Sequence, residues 1–156
     1  MTALIGEWKC FECQNIDSVM AELGVNQEIR DRVEFEGSSL TIDFEESDLY
    51  IRQETSGQSH ERTFALGKEQ DELTLDGRIV KTVYTLESDC ILKQVQQHGF
   101  TEMVITREVI DDVMTTSVRT GDSSATLKYR RIGPPKRRTE TTNLAGSVAD
   151  TTVNSS

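Results

Sequence analysis

Apolar and polar positions alternate over much of the chain. Leu40, Ile42 and Phe44 are separated by Thr41 and Asp43, and Leu49 and Ile51 alternate with Tyr50 and Arg52. Farther along, Met103, Ile105, Arg107 and Val109 share one parity. A period of two sends successive side chains to opposite faces of a strand. Turn-forming clusters interrupt the pattern at short intervals: Glu36-Gly37-Ser38, Glu46-Ser47-Asp48, Ser56-Gly57-Gln58, Asp76-Gly77, Glu87-Ser88-Asp89, His98-Gly99, Asp111-Asp112 and Thr120-Gly121-Asp122. Gly, Asp and Ser either tolerate positive φ or bond their own backbone. Such punctuation between β-prone stretches predicts antiparallel strands joined by hairpins.

One segment follows a different period. Ile16, Val19, Met20 and Leu23 fall at i, i+3, i+4 and i+7, one face of a helix. Asn15 is placed as its N-cap and Gly24 as its C′ residue. A second short helix is predicted from Asn26, with Ile29 and Val33 on one side. The order is therefore one strand, two short helices and about nine further strands. The helix pair cannot sit within a sheet, so it must cover a face or cap an end. Gly133-Pro134-Pro135 ends the strands after Ile132. The remainder, rich in Thr, Ser and Asn without periodicity, reads as a disordered tail. The expected division is a barrel over 1–132 and a tail over 133–156.

The alternation is imperfect in an informative way. Gln94 and Gln96 stand among apolar residues, where a dry core would tolerate them poorly. A barrel around a partly wet cavity accepts them. The 156 residues suffice to enclose one such cavity, and their formal charge is −10. An acidic chain opposes general nucleic-acid binding and tight adhesion to anionic headgroups, so at most transient membrane contact is expected. No apolar run approaches the roughly 20 residues of a membrane span, and the N-terminus lacks the basic and apolar segments of a secretory signal. With an odd count of three cysteines, a cytoplasmic location with reduced thiols is expected.

The remaining motifs have modest readings. Cys10 and Cys13 form a single C-x-x-C, and with His60 and His98 beside turns no metal or cofactor site is expected. Arg130-Arg131 and Lys136-Arg137-Arg138 are read first as a solvated strand end, with a nuclear localisation signal as the alternative. Neither a nucleophile elbow nor a phosphate loop is present, and the many carboxylates spread over turns, so no enzyme is expected.

Several short motifs, in order, resemble the fatty acid-binding proteins and, more distantly, the cellular retinoid-binding proteins. They are Gly6-Glu7-Trp8-Lys9, Asn15-Ile16-Asp17, Met20-Ala21-Glu22-Leu23-Gly24-Val25, Leu66-Gly67-Lys68-Glu69, Thr74-Leu75-Asp76-Gly77-Arg78, Thr106-Arg107-Glu108 and Thr126-Leu127-Lys128-Tyr129. The similarity extends from about Thr2 to Ile132. It implies an all-β fold, a ten-stranded antiparallel up-and-down barrel with a two-helix lid between the first two strands. It also implies a monomeric lipid carrier holding one long-chain fatty acid or similar ligand inside.

In many members two arginines and a tyrosine hold the carboxylate. The resemblance assigns the first arginine to Arg107 and the tyrosine to Tyr129, but places Leu127 where the second arginine would stand. The aromatic residue that usually follows the helix-starting Asn is Ile16, and the portal phenylalanine falls near Gln58. Three arrangements stay open. A fatty carboxylate rests on Arg107 and Tyr129; the head group lies at the portal beside Arg78; or the ligand is neutral, as an acyl ester or retinoid alcohol is. A protein that binds no lipid and uses its tail to recruit a partner is a further alternative. Ile16, Met20 and Leu23 are candidate tail contacts from the lid. The polar side of that lid carries Asp17 and Glu22 and no lysine, so transfer through solution is expected.

Overall fold

The computed structural model describes residues 2–55 and 57–137. Ten antiparallel strands run up and down around a barrel: β1 (Gly6–Gln14), β2 (Ser39–Glu45), β3 (Asp48–Thr55), β4 (Gln58–Ala65), β5 (Gln70–Leu73), β6 (Ile79–Ser88), β7 (Ile91–His98), β8 (Thr101–Ile110), β9 (Val113–Thr120) and β10 (Ser123–Gly133). Two helices, α1 (Ile16–Glu22) and α2 (Gln27–Arg32), lie between β1 and β2. Each strand pairs with its neighbour in sequence and β1 closes on β10, but β4 and β5 form the two edges of the sheet. Side chains span that gap: Arg62 donates to the Asp71 carbonyl at 2.9 Å, and the Ala65 amide donates to Gln70 Oε1 at 2.7 Å. The expected architecture is the one observed.

The lid helices are held by local chemistry. Asn26 caps α2, its Oδ1 accepting the Ile29 amide at 3.0 Å. After α1 the chain closes a Schellman motif: the amides of Gly24 and Val25 donate to the carbonyls of Ala21 and Met20, each at 3.0 Å. Gly24 supplies the left-handed φ of +85° this requires. Asn15 departs from its expected role. Its backbone is left-handed (φ 67°), its side chain makes no cap bond, and Nδ2 donates instead to the Ser124 carbonyl at 2.7 Å. The sharp exit from β1 needs an αL residue, which Asn tolerates, and its amide then ties the lid to β10. The lid thus sits at the barrel end shared by the β3–β4, β5–β6, β7–β8 and β9–β10 turns.

The opposite end is packed shut. Leu4, Trp8, Ile42, Leu49, Phe64, Leu92 and Met114 are all fully buried there, with Trp8 Nε1 donating to the Leu4 carbonyl at 3.1 Å. Arg131 stacks its guanidinium 4.3 Å from the Trp8 ring, donates to the carbonyls of Ala3 and Ile5, and pairs with Asp112 at 3.1 Å.

The basic cluster expected to be solvated keeps Arg130 and Lys136 exposed, but Arg130, Arg131 and Arg137 also lie over aromatic rings. Arg130 lies 4.1 Å over Phe11, and Arg137 lies 4.3 Å over Tyr50 while pairing with Asp43 at 3.1 Å. Flat guanidinium groups cover aromatic faces that would otherwise stand open to water. Lys136 adds a 3.7 Å pair with Glu54. Residues immediately after β10 therefore cross the outer face of β2 and β3. Arg138 and the rest of the expected disordered tail lie outside the described residues. Among the described residues, no helix is long and apolar enough to cross a membrane.

Replacing Arg131 by Ala removes the stack on Trp8 and leaves two carbonyls of the N-terminal turn without their donor. A loss of about 2 kcal/mol is expected, read as a lowered urea midpoint at unchanged m-value.

Candidate functional site

Above the apolar floor, the inner wall becomes polar. Arg107 on β8 points inward and is only 6% exposed. Its Nη1 donates to Gln94 Oε1 at 3.1 Å. The amide nitrogen of Gln94, a residue only 1% exposed, donates onward to Thr82 Oγ1 and Glu72 Oε1, both at 3.1 Å. Gln96 Nε2 donates to the same Glu72 oxygen at 3.3 Å. The network thus joins β5, β6, β7 and β8 through alternate inward positions. Two of its buried atoms, Arg107 Nε and Gln96 Oε1, have no protein partner, and neither has Thr116 Oγ1 of β9 on the same wall. Buried polar atoms ordinarily find a partner, so these three call for water or for a polar group of a guest.

The unpartnered atoms belong to residues that line a cavity running up to the lid. Space for the centres of water-sized molecules amounts to about 110 Å³, enough for several waters. Its apolar wall comes from Ile16, Val19, Met20 and Leu23 on the lid side and from Met103, Ile105, Val118 and Leu127 on the barrel. Every candidate named from the sequence borders it: Arg107, Tyr129, Leu127, Arg78, Met20, Ile16 and Leu23. They do not form one cluster. Arg107, Leu127 and Tyr129 stand deep on the wall, the three lid residues close the top, and Arg78 sits at the β5–β6 turn.

The two arginines are in different electrostatic states. Arg78 Nε already donates to both oxygens of Asp76, at 3.0 and 3.1 Å, and both side chains are largely buried. Arg107 has the Gln94 amide and the Tyr84 phenol for neighbours and keeps Nε open. Burial raises the pKa values of the Tyr84 and Tyr129 phenols, so both remain protonated donors at neutral pH. Burial also raises the Glu72 carboxyl above its ordinary value, outweighing the hydrogen bonds of Gln96 and Thr82 and the attraction of Arg107 and Arg62.

Cys10 and Cys13 lie next to this wall, paired across to Tyr129 and Leu127. Residues three apart on a regular strand face opposite ways, but the register of β1 shifts between Cys10 and Glu12. The bulge returns both sulfurs to one side, 3.4 Å apart. Burial and the neighbouring Cys10 push the Cys13 thiol up to about 12, which keeps it protonated and unreactive. Among the described residues, no three His, Cys, Asp or Glu side chains are grouped to hold a metal.

No family model matches the chain. It is nevertheless 39% identical over 132 residues to a fatty acid-binding protein of Clonorchis sinensis, a match covering 84% of this chain and 99% of the relative. Human fatty acid-binding protein 9 is 32% identical over 82% of this chain and 96% of its own length. Among solved structures, a Schistosoma mansoni fatty acid-binding protein in complex with arachidonic acid superposes with a TM-score of 0.78 at 34% identity, covering 85% of this chain and 98% of that one. The chain belongs to the fatty acid-binding protein family.

Within that family frame, the residues that sequence reading missed are Glu72, Thr116 and Tyr84. Gln94 and Gln96 stood out as polar intrusions, but not as partners of Arg107. Glu72 was hidden because β5 inverts the usual pattern: Leu73 is 51% exposed while Glu72 borders the cavity. In a four-residue strand no alternation is long enough to fix the parity.

The raised Glu72 carboxyl predicts a pH dependence of stability. Above the ordinary carboxyl value of 4.5, and below the raised one, the folded chain keeps a proton that the unfolded chain has released. Stability therefore falls as pH rises through that window. Glu72→Gln keeps the Oε1 acceptor and removes the titration. Urea melts at a series of pH values are expected to show the variant gaining on the parent as pH rises; parallel curves would contradict the assignment.

Proposed function

We propose that this chain is a cytoplasmic, monomeric carrier that encloses one long-chain fatty acid, its carboxylate on Arg107 with Tyr129 nearby and its tail running toward the lid. The observation that carries this reading is the open Nε of Arg107, a buried guanidinium nitrogen with no protein partner on the wall of an otherwise largely apolar cavity. A relative with the same fold holds arachidonic acid, which supports the same ligand class here.

The energetics divide in two. Each buried CH₂ contributes about 0.8 kcal/mol, so the tail supplies most of the gross affinity before ordering costs. A bare carboxylate would be very costly to bury. Hydrogen bonds to it from a guanidinium and a phenol contribute roughly 1.5–3 kcal/mol each and select the head group. Leu127 leaves one guanidinium for this task. Arg78 is the weaker candidate because Asp76 already satisfies it. The lid favours transfer through solution: Arg30 of α2 is tied to Asp17 of α1 at 3.0 Å and is not free for anionic headgroups. We assign a binding role and no reaction.

Arg107→Ala is expected to weaken oleate binding by about 10- to 100-fold, the factor that corresponds to one charged hydrogen-bonding partner. Isothermal titration of the full chain reads this directly. Unchanged affinity would remove Arg107 from the site, and tighter binding of oleyl alcohol than of oleate by the parent would favour a neutral ligand. Fatty acid released from protein purified from its own cells, identified by native mass spectrometry, is the expected resident ligand.

A further inference from the structure

The head-group site holds a titratable acid, Glu72, beside its positive charge. Glu72 and Arg107 grip the same amide from opposite sides: Gln94 accepts from the guanidinium at 3.1 Å and donates to the carboxyl at 3.1 Å. Both groups therefore border the stretch of cavity wall that a fatty carboxylate on Arg107 would occupy. Gln96 and Thr82 crowd Glu72 further and supply no charge.

The charges that face Glu72 can be named strand by strand. β8 offers Arg107. β4 offers Arg62, which is solvent-exposed and already donates to the Asp71 carbonyl, so water screens it. β6 offers the Tyr84 phenol, kept neutral by burial. β7 offers only the two glutamine amides. At the mouth, Arg78 and Asp76 cancel one another. Among the described residues, one buried guanidinium is left to balance two carboxylates. Two carboxylates around a single guanidinium disfavour double ionisation, the more so because burial already raises Glu72, and the pair shares a proton.

We infer that loading a fatty acid into this barrel takes up one proton, held between the ligand carboxylate and Glu72, so that Glu72 sets the ligand's charge preference. This rests on the fatty acid reading above and adds to it a specificity-determining residue. With Glu72 ionised, the site is already neutral and suits an uncharged head group. With Glu72 protonated, Arg107 is left free for a carboxylate. The proton comes from solvent and returns to it on release, so carriage of the acid is linked to pH. Oleate affinity then falls by up to tenfold per pH unit wherever apo Glu72 is ionised.

The test is isothermal titration of the full chain at pH 8 in buffers of differing ionisation enthalpy. The slope of observed against buffer enthalpy counts the protons taken up. With oleate, the expected slope is close to one proton for the parent and close to zero for Glu72→Gln. With oleyl alcohol, which brings no carboxylate, it is close to zero for both. Glu72→Gln is also expected to bind oleate more tightly than the parent, by a ratio that widens up to tenfold per pH unit wherever apo Glu72 is ionised. Oleate binding by the parent without proton uptake would overturn this inference and leave the carrier reading intact. A slope that survives in Glu72→Gln, or that appears with oleyl alcohol, would also overturn it. No binding of oleate by the parent would overturn both.

Discussion

A guanidinium buried inside a barrel is the constraint around which the rest is organised. Removing such a charge from water is expensive unless it is partnered. Arg107 finds only a partial solution within its own chain: Gln94 takes one nitrogen, Glu72 compensates the charge at one remove, and Nε stays open. The polar wall on β5, β6 and β7 follows from that need. So does the hollow above it, because packing apolar side chains against the open nitrogen would leave it unsatisfied. The protein is thus left with a polar position that an anionic or hydroxyl-bearing guest can complete.

The remainder of the fold holds this position still while leaving its entrance adaptable. At the closed end, Trp8 and the apolar layer around it are clamped by Arg131, which links β10 to the N-terminal turn and to Asp112. At the other end the lid is attached to β10 through few polar contacts, Asn15 to Ser124 and Ser123 to Glu22, while Arg30 and Asp17 tie its two helices together. The gap between β4 and β5 is bridged by side chains instead of a ladder. Local opening is easiest where backbone pairing is sparse, and here that is the lid end and the β4–β5 seam, not the floor.

Much of this was legible beforehand. The period-two runs and regular turn signals specified the strands, and the 3.6-residue spacing of Ile16, Val19, Met20 and Leu23 specified the lid. The inward parity of Arg107 followed from Met103, Ile105 and Val109. What escaped the pattern did so for physical reasons. Asn15 has a capping residue's identity but a connector's geometry. The β1 bulge restores Cys10 and Cys13 to one face against a strict period of two. Glu72 sits inward on a strand too short to declare its parity, next to an outward Leu73. Arg130, Arg131 and Arg137 look like a solvated charge run because stacking on Phe11, Trp8 and Tyr50 depends on residues distant in sequence.

The central claim is that a guest's head group meets Arg107 inside the barrel. The most direct measurement is the side-chain Nε–H resonance of Arg107, assigned in ¹⁵N-labelled protein and followed while one equivalent of oleate is added. That resonance is expected to shift and to exchange more slowly with solvent as the nitrogen gains a partner. An unchanged Arg107 signal, with the perturbation confined to Arg78 and the turn around Asp76, would contradict it.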